Sequence, residues 1–455
     1  MLSTLVVAAA LGLPSGAAGP AGGCGSLPSP DGKVVRVGPN QAGDLPRIVA
    51  DAGRGTTILL EDGIYTMGPG DEADRRIQFR TPNVTLRSAS NDADGVVIDG
   101  EYLTNEIVMI HASNVTIGHL TITRAVDHPV HISPWPTGNA ISGTRLYDLR
   151  IIDGGEQFVK VNPNGDPLVY ADNGRVECSL FRMTDEGRTH VEHNFGGCYT
   201  GGIDAHGARG WKVRQNRFEG IYCAGEGLAE HAVHFWKGAR GTLVENNIII
   251  NCARGIGLGL GENDGGRTYP DKAAAGYVGH FGGLIRNNVV YADVPYFDTG
   301  IELSQARGAK VYHNTIPHSP SVAGFFSSID LRFANTSATI RNNLVEAITV
   351  RDGAAGKVNH NLQKTPLELF MNPGGTTSTS PAVPRRPSTT ASRSRGPAGT
   401  STAGDTATAA PIWGPTSSRR ASFWEGSAGG SGPAPGAKPA GPHTETSHEI
   451  GLTLL

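Results

Sequence analysis

In the stretch GGIDAHGARGWKVRQNRFEGI, residues 201–221, an aspartate and a histidine stand two residues apart behind paired glycines. On a strand, Asp204 and His206 point to the same side. A carboxylate beside an imidazole can orient it, fix its tautomer and make it a proton acceptor. Similar short segments recur, namely AVHFW (232–236), GIGLG (255–259), GIELS (300–304) and SIDLR (328–332). Their period-two alternation and their glycines predict strands.

Aligned on one another, these strands predict two outward columns. The first runs Met109, His131, Lys160, Asp204, His234, Gly257, Glu302, Asp330 and Thr349; the second runs His111, Ser133, Asn162, His206, Trp236, Gly259, Ser304, Arg332 and Arg351. Between them lie apolar residues, Ile110, Ile132, Val161, Ala205, Phe235, Leu258, Leu303 and Leu331, expected inside. Six of the seven first-column residues from His131 to Asp330 are ionisable, against 18% charged residues in the chain. Idle strand positions favour Thr over Asp.

The column supports a specific chemistry. Lys160, Asp204, His206 and His234 fall on three neighbouring coils and are the expected catalytic set for β-elimination, in which a base removes the proton α to a uronic carboxylate. Lys160, with its pKa pushed toward neutrality by nearby cations, or a histidine serves as base. Asp204 orients a histidine or binds substrate. His131, Asn162, Trp236, Glu302, Asp330 and Arg332 are the expected substrate contacts, with Trp236 a stacking surface for a sugar ring. Gly257 and Gly259 flatten the face so that a ligand approaches the backbone. Glu302 and Asp330, one coil apart, are the alternative, a hydrolase pair at about 5 Å. No metal-ligating set is assigned, although Asp298, Glu302 or Asp330 suits Ca²⁺. The insertions 183–199 and 261–280 are expected to wall the face; the titratable residues in and beside them (Asp185, Glu186, His190, Glu192, His193, Glu226, Glu230, His231) read singly as solvated loop residues.

A second pattern sets the scaffold. VRQNRF (213–218), VENNII (244–249), IRNNVV (285–290), VYHNTI (311–316), IRNNLV (340–345) and VNHNL (358–362) place asparagine at 216, 247, 288, 314, 343 and 361. NVTIGHLTI (114–122), TRLYDLRII (144–152) and GRVECSLFR (174–182) keep the frame with other residues at that place. Units of about thirty residues, each unable to bury a face alone, predict a stacked solenoid. The fold expected is all-β, a right-handed parallel β-helix of about nine to ten coils from about Asn83 to Leu362. Residues 41–66 form a short helix, then a strand and turn, and the helix caps the core. The asparagines are a turn ladder bonding one coil to the next.

On DGIYT, NVTI, RNNLV and the GI-x-L strands, residues 34–370 resemble the secreted bacterial right-handed parallel β-helix proteins of the pectate-lyase-like superfamily. That superfamily holds polysaccharide lyases, hydrolases and epimerases, and also adhesins and surface proteins, so the resemblance implies a fold and a face without a reaction. The arginine-centred pectate-lyase signature and the polygalacturonase carboxylate set are absent, so no catalytic residue carries over. A non-catalytic glycan-binding or structural surface protein is the alternative of a different class.

The rest of the chain bears on location. The run LSTLVVAAALGL opens an apolar segment of signal-peptide length, so residues 1–24 are read as a signal, with Cys24 in a weak lipobox. Cys178, Cys198, Cys223 and Cys252 are either bridged, in one of three pairings, or buried thiols. Net charge of −3 offers no nucleic-acid footprint, and no later apolar run is long enough to span a bilayer. A secreted, periplasmic or cell-surface monomer acting on a polysaccharide is expected. From 373 to 455 the composition turns to Thr, Ser, Pro, Gly, Ala and Arg, a disordered tail. Back-translated with GC-rich codons and read one base earlier, the same tail can yield DIDG and DLGPDEF, so a frameshift near Gly374 is the other reading.

Overall fold

The structure is a computed structural model. It describes residues 24–369 except 68–74, 136–137, 196–197, 226, 262–265, 272–277, 318–321, 323 and 367–368. The signal segment before Cys24, Glu226, much of the second insertion and the whole 373–455 tail therefore lie outside the described residues.

Every strand ladder is parallel, and the strands wind into a right-handed parallel β-helix. The sheet that carries the predicted columns has ten strands, one per coil: Ile77–Phe79, Glu106–Ile110, His128–Ile132, Gln157–Val161, Gly201–His206, His231–Trp236, Arg254–Leu258, Thr299–Ser304, Ser327–Arg332 and Ile348–Val350. Stacking starts earlier than the repeat suggested, since Val34–Val37 already pairs with Thr57–Leu60. Those first strands lack the asparagine by which the coils were recognised. A 3₁₀ turn, Pro39–Asp44, leads into the helix Leu45–Ala50, which buries Leu45 and Val49 on the first coil and closes the apolar end. No helix among the described residues is long and apolar enough to cross a membrane.

Pairing runs Met109–His131–Lys160–Asp204–His234–Gly257–Glu302–Asp330–Thr349, residue for residue the first predicted column. The eight inward residues between the columns have no solvent exposure. Burying them removes roughly 1.5–3 kcal/mol worth of exposed surface per large aliphatic or aromatic side chain, which is why this face cannot slip by one residue.

The asparagine ladder is the second register device. Asn216 Nδ2 donates to Val176 O (2.9 Å) and Asn247 Oδ1 (3.1 Å), and Asn247, Asn288, Asn314 and Asn343 repeat the pattern up to Asn361. Each Oδ1 also accepts the backbone N–H of the asparagine one coil before. The preceding residues, Gln215, Asn246, Asn287, His313, Asn342 and His360, all hold φ between 54° and 59°. That left-handed step turns the chain and aims the next side chain inward, where only an amide fills both donor and acceptor roles.

The cysteines differ from the expectation. Cys24 pairs with Cys178, and Cys198 with Cys223, while Cys252 is a buried thiol. The Cys24 sulfur is thus committed to the folded domain and not to a lipid thioether. The Cys24 neighbourhood is tied down further by Tyr147 donating to Gly25 O and by the Leu27 N–H on His119 Nε2.

Replacing an interior rung strands donors and acceptors on both neighbouring coils. Asn288→Ala is expected to lower unfolding stability by about 2–4 kcal/mol, and Asn361→Ala, at the partly solvated end, by less than half of that. Urea melts of both variants measure the difference; equal losses would mean the ladder is not the source.

Candidate active face

The first column faces outward yet is not wet. Lys160 and Asp204 are about 5% exposed and His234 1%. Burial of such charges is tolerated only when they satisfy one another, and Asp204 does this as a hub. Its Oδ2 accepts from Lys160 Nζ (2.5 Å) and His206 Nε2 (3.0 Å), and its Oδ1 from Trp236 Nε1 (2.6 Å), with His234 Nδ1 at 3.7 Å. The four residues expected to be catalytic are therefore brought together.

The charge states follow from this packing. Burial works against an ionised Asp204, but Lys160, His206 and His234 outweigh it and hold the carboxyl well below its usual range. Lys160 does not behave as expected. Burial pushes its pKa down, yet the adjoining Asp204 carboxylate, with Tyr199 and Glu156, raises it overall, so it stays an ammonium with no lone pair to act as base. Its ammonium donates to Asp204 and to Gln157, and the anionic partner outweighs the cations anticipated. His206 goes the other way: burial lowers its pKa more than Asp204 raises it, with Lys160 and Lys237 also lowering it. A neutral His206 must donate from Nε2 to an ionised acceptor, which leaves Nδ1 with its lone pair free of that bond.

Trp236 is held by its polar edge and stacks on His234 at 5.5 Å, with His206 edge-on and the Lys237 ammonium 5.0 Å from its ring centre. It walls the cluster and orients Asp204. The paired glycines have other tasks than admitting a ligand. A Cβ on Gly257 would sit 2.8 Å from the His231 ring, so the space belongs to that imidazole, and Gly259 at φ 75° is a turn residue.

The structure adds a third outward column that alternation does not predict. Three residues before each first-column residue stand Glu106, His128, Gln157, Gly201, His231, Arg254, Thr299 and Ser327, in register with one another. Strict alternation assigns position i−3 to the opposite side, but here the chain is rounding the corner into the sheet and both residues face outward. The Glu-His-x-x-His spacing of Glu230, His231 and His234 was the available signal. His231, set aside as a solvated loop residue, is 1% exposed and donates from Nε2 to Glu302 Oε2 at 3.1 Å. Glu230 lies between Arg254, His231 and His234; Arg254 first, and then the two histidines, outweigh burial and keep it well below the ordinary carboxylate range.

The remaining expected contacts divide. His131 bonds Glu106 through Nδ1, and Asn162 keeps a buried Oδ1 without a partner. Glu302 accepts from His231 and Ser304 with Arg254 at 3.6 Å, and Asp330 receives Arg351 through both oxygens. All four oxygens of the hydrolase pair thus have donors from this chain. Arg332 turns away to Asp352 at 2.9 Å. Asp298, named with these two for Ca²⁺, accepts from Thr299, and the ligand atoms that converge among the described residues are those of Glu230, His231 and His234.

The insertions flank the face. The first forms a helix, Asp185–Phe195, anchored by Thr184 on Asp153 and by Arg188 on Gly220 O and Tyr222 O; its end delivers Tyr199, 45% exposed, to the neighbourhood of Lys160. The Cys198–Cys223 bridge joins it to the loop before His231. Asp185 is fully exposed, and His190 stacks on Tyr102. Of the second insertion, Arg267 bonds Asp172 and Gly207 O, and Tyr269 bonds Gly238 O, at the far ends of the site strands.

No protein-family profile and no curated protein matches this sequence. Among solved structures, the chain is similar to an alginate lyase from Paenibacillus sp. str. FPU-7 (16% identity, 72% of this chain and 99% of that one, TM-score 0.40). It is similar to a surface adhesin of Streptococcus pneumoniae (10%, 72% and 87%, 0.40) and to a polygalacturonase from Erwinia carotovora ssp. carotovora (8%, 75% and 98%, 0.38).

Glu156, next to this cluster, yields a pH test. Burial first, then Asp127, with Lys160 opposing, pushes its pKa up to about 7, and its carboxyl lies 3.3 Å from His128, itself pushed down to about 3 chiefly by burial. A carboxyl raised on folding stabilises the fold below its unfolded pKa and loses that contribution as pH rises through the folded value. Wild type is therefore expected to lose up to about 3 kcal/mol, relative to Glu156→Gln, between about pH 4.5 and 7. Urea midpoints of both proteins across that range check it; parallel profiles would show an ordinary Glu156.

Proposed function

We propose that this is an exported, monomeric, carbohydrate-active β-helix protein that cleaves an acidic polysaccharide by β-elimination on the face centred on Asp204. The observation that carries the reading is the Asp204–His206 pair: a buried, ionised carboxylate holding Nε2 of a neutral imidazole whose side chain is still 15% exposed. His206 Nδ1 takes the proton α to the uronic carboxylate. The electron pair forms the new carbon–carbon double bond as the glycosidic C–O bond breaks. Lys237, close enough to His206 to lower its pKa, supplies positive charge for the substrate carboxylate. Tyr199, kept protonated chiefly by burial and half-exposed beside Lys160, is placed to give the leaving oxygen its proton. Lys160 serves as the permanent cation that keeps Asp204 ionised.

Export belongs to the same proposal. Two disulfides suit an oxidising compartment, and residues 1–23 fit a cleaved signal that leaves Cys24 in the mature chain. Residues 34–370 are the functional domain, and no role is placed in 373–455.

The test is a panel of acidic and neutral polysaccharides followed by the ultraviolet absorbance of unsaturated uronides. Wild type is expected to act on an acidic member, His206→Asn to lose about 10²–10⁴-fold in kcat with little change in binding, and Lys237→Ala to lose mainly affinity. Silence across the panel, with wild type indistinguishable from His206→Asn, would replace lysis by glycan binding, which affinity electrophoresis on the same panel reads independently.

A further inference from the structure

Glu230, His231 and His234 leave one arrangement unexplained. His231 Nε2 donates to Glu302 Oε2 (3.1 Å), and His234 Nε2 donates to the Gly259 carbonyl (3.0 Å). One Nε2 proton on each ring meets those bonds, so each ring in its neutral form offers Nδ1 as a ligand atom, and both Nδ1 atoms face Glu230 Oε2, at 3.8 Å from His231 and 3.6 Å from His234. Glu230 Oε2 and His231 Nδ1 are buried and have no hydrogen-bond partner, and His231 is 1% exposed. Ligand atoms of the three residues, all within 4.8 Å of one another, thus converge on one spot. A buried carboxylate facing two imidazoles requires positive charge beside it, which a ring proton or a bound metal ion can supply.

We propose that Glu230, His231 and His234 bind one divalent cation of the zinc class. Two imidazole nitrogens and a carboxylate oxygen are donors for such an ion, whereas Ca²⁺ takes six to eight oxygens. Bonds of about 2.0–2.1 Å in tetrahedral geometry put ligand atoms about 3.4 Å apart, so the two separations from Glu230 Oε2, 3.8 and 3.6 Å, need only a small contraction. The outer contacts are those metal-bound histidines make: one ring N–H on a carboxylate, the other on a backbone carbonyl. Arg254 lies near the other carboxylate oxygen, 3.7 Å from Glu230 Oε1, and leaves Oε2 to that spot. Gly257 is required because any side chain there would displace the His231 ring. The fourth position falls to water or a substrate oxygen, since the nearby Asp204 Oδ1 is already bonded to Trp236.

The site does not rest on the proposed lysis. Tag-free full-length protein, stripped with a chelator and dialysed, is titrated calorimetrically with Zn²⁺ and Ca²⁺, and with Co²⁺ by visible absorption. One Zn²⁺ per chain, Co²⁺ bands of a four- or five-coordinate site that Zn²⁺ displaces, and no response to Ca²⁺ are expected. Glu230→Gln should weaken Zn²⁺ binding by at least about tenfold. Gly257→Ala should do likewise, by moving His231 while keeping all three ligands. A chain folded by circular dichroism that takes up no Zn²⁺, or takes it up equally in both variants, overturns the site. Zn²⁺ uptake without uronide release removes the proposed reaction and keeps the metal; release that survives full stripping, with no Zn²⁺ uptake, does the reverse.

Discussion

Parallel strands in register set equivalent positions of successive coils about 4.8 Å apart, and core, ladder and candidate site all inherit that spacing. Apolar side chains repeat at the pitch and pack into one interior. Amides repeat at the pitch and bond end to end from Asn216 to Asn361. Ionisable side chains repeat at the pitch too, which forces Lys160, Asp204 and His234 to be neighbours. A register slip of one residue would reverse the core and the outer face together.

Close stacking of charges is costly unless their signs alternate, and the column shows how this chain meets that condition. Lys160, Asp204 and His234 run cation, anion, imidazole, and Glu302 is balanced by His231 and Arg254 reaching across the gap left by Gly257. The result is a network in which one carboxylate holds four partners. Its outer members, His206, Trp236 and Tyr199, keep some contact with solvent. These three are the members of the network that solvent reaches, with Lys160 and Asp204 setting the field behind them.

Several of these features were legible in the order of residues. Alternation alone placed all nine members of the first column, because a strand has only two sides and the inner one must be apolar. The six asparagines announced the ladder, because only a side chain with both donor and acceptor can bond the turn above and below. The hidden features share a different origin. The i−3 column with His231 and Arg254 escaped because alternation does not hold where the chain turns a corner. Gly257 read as an open place because a missing side chain says nothing about which neighbour fills the space. Cys24 read as part of a removed segment, and its partner Cys178 stands 154 residues away.

What the sequence by itself determined is the period: which residues face in, which face out, and which coil meets which. These follow from local geometry and the need to bury apolar surface, and both are written residue by residue. Tertiary structure decided the charge states and the partners. Lys160 is an ammonium, His206 a neutral imidazole, and Glu230 a carboxylate facing two imidazoles, because of burial and of groups held within 4 Å, on the neighbouring coil for Lys160 and on the same coil for the other two. A pKa or a ligand set depends on distances and burial in three dimensions, which no pattern along a single chain specifies.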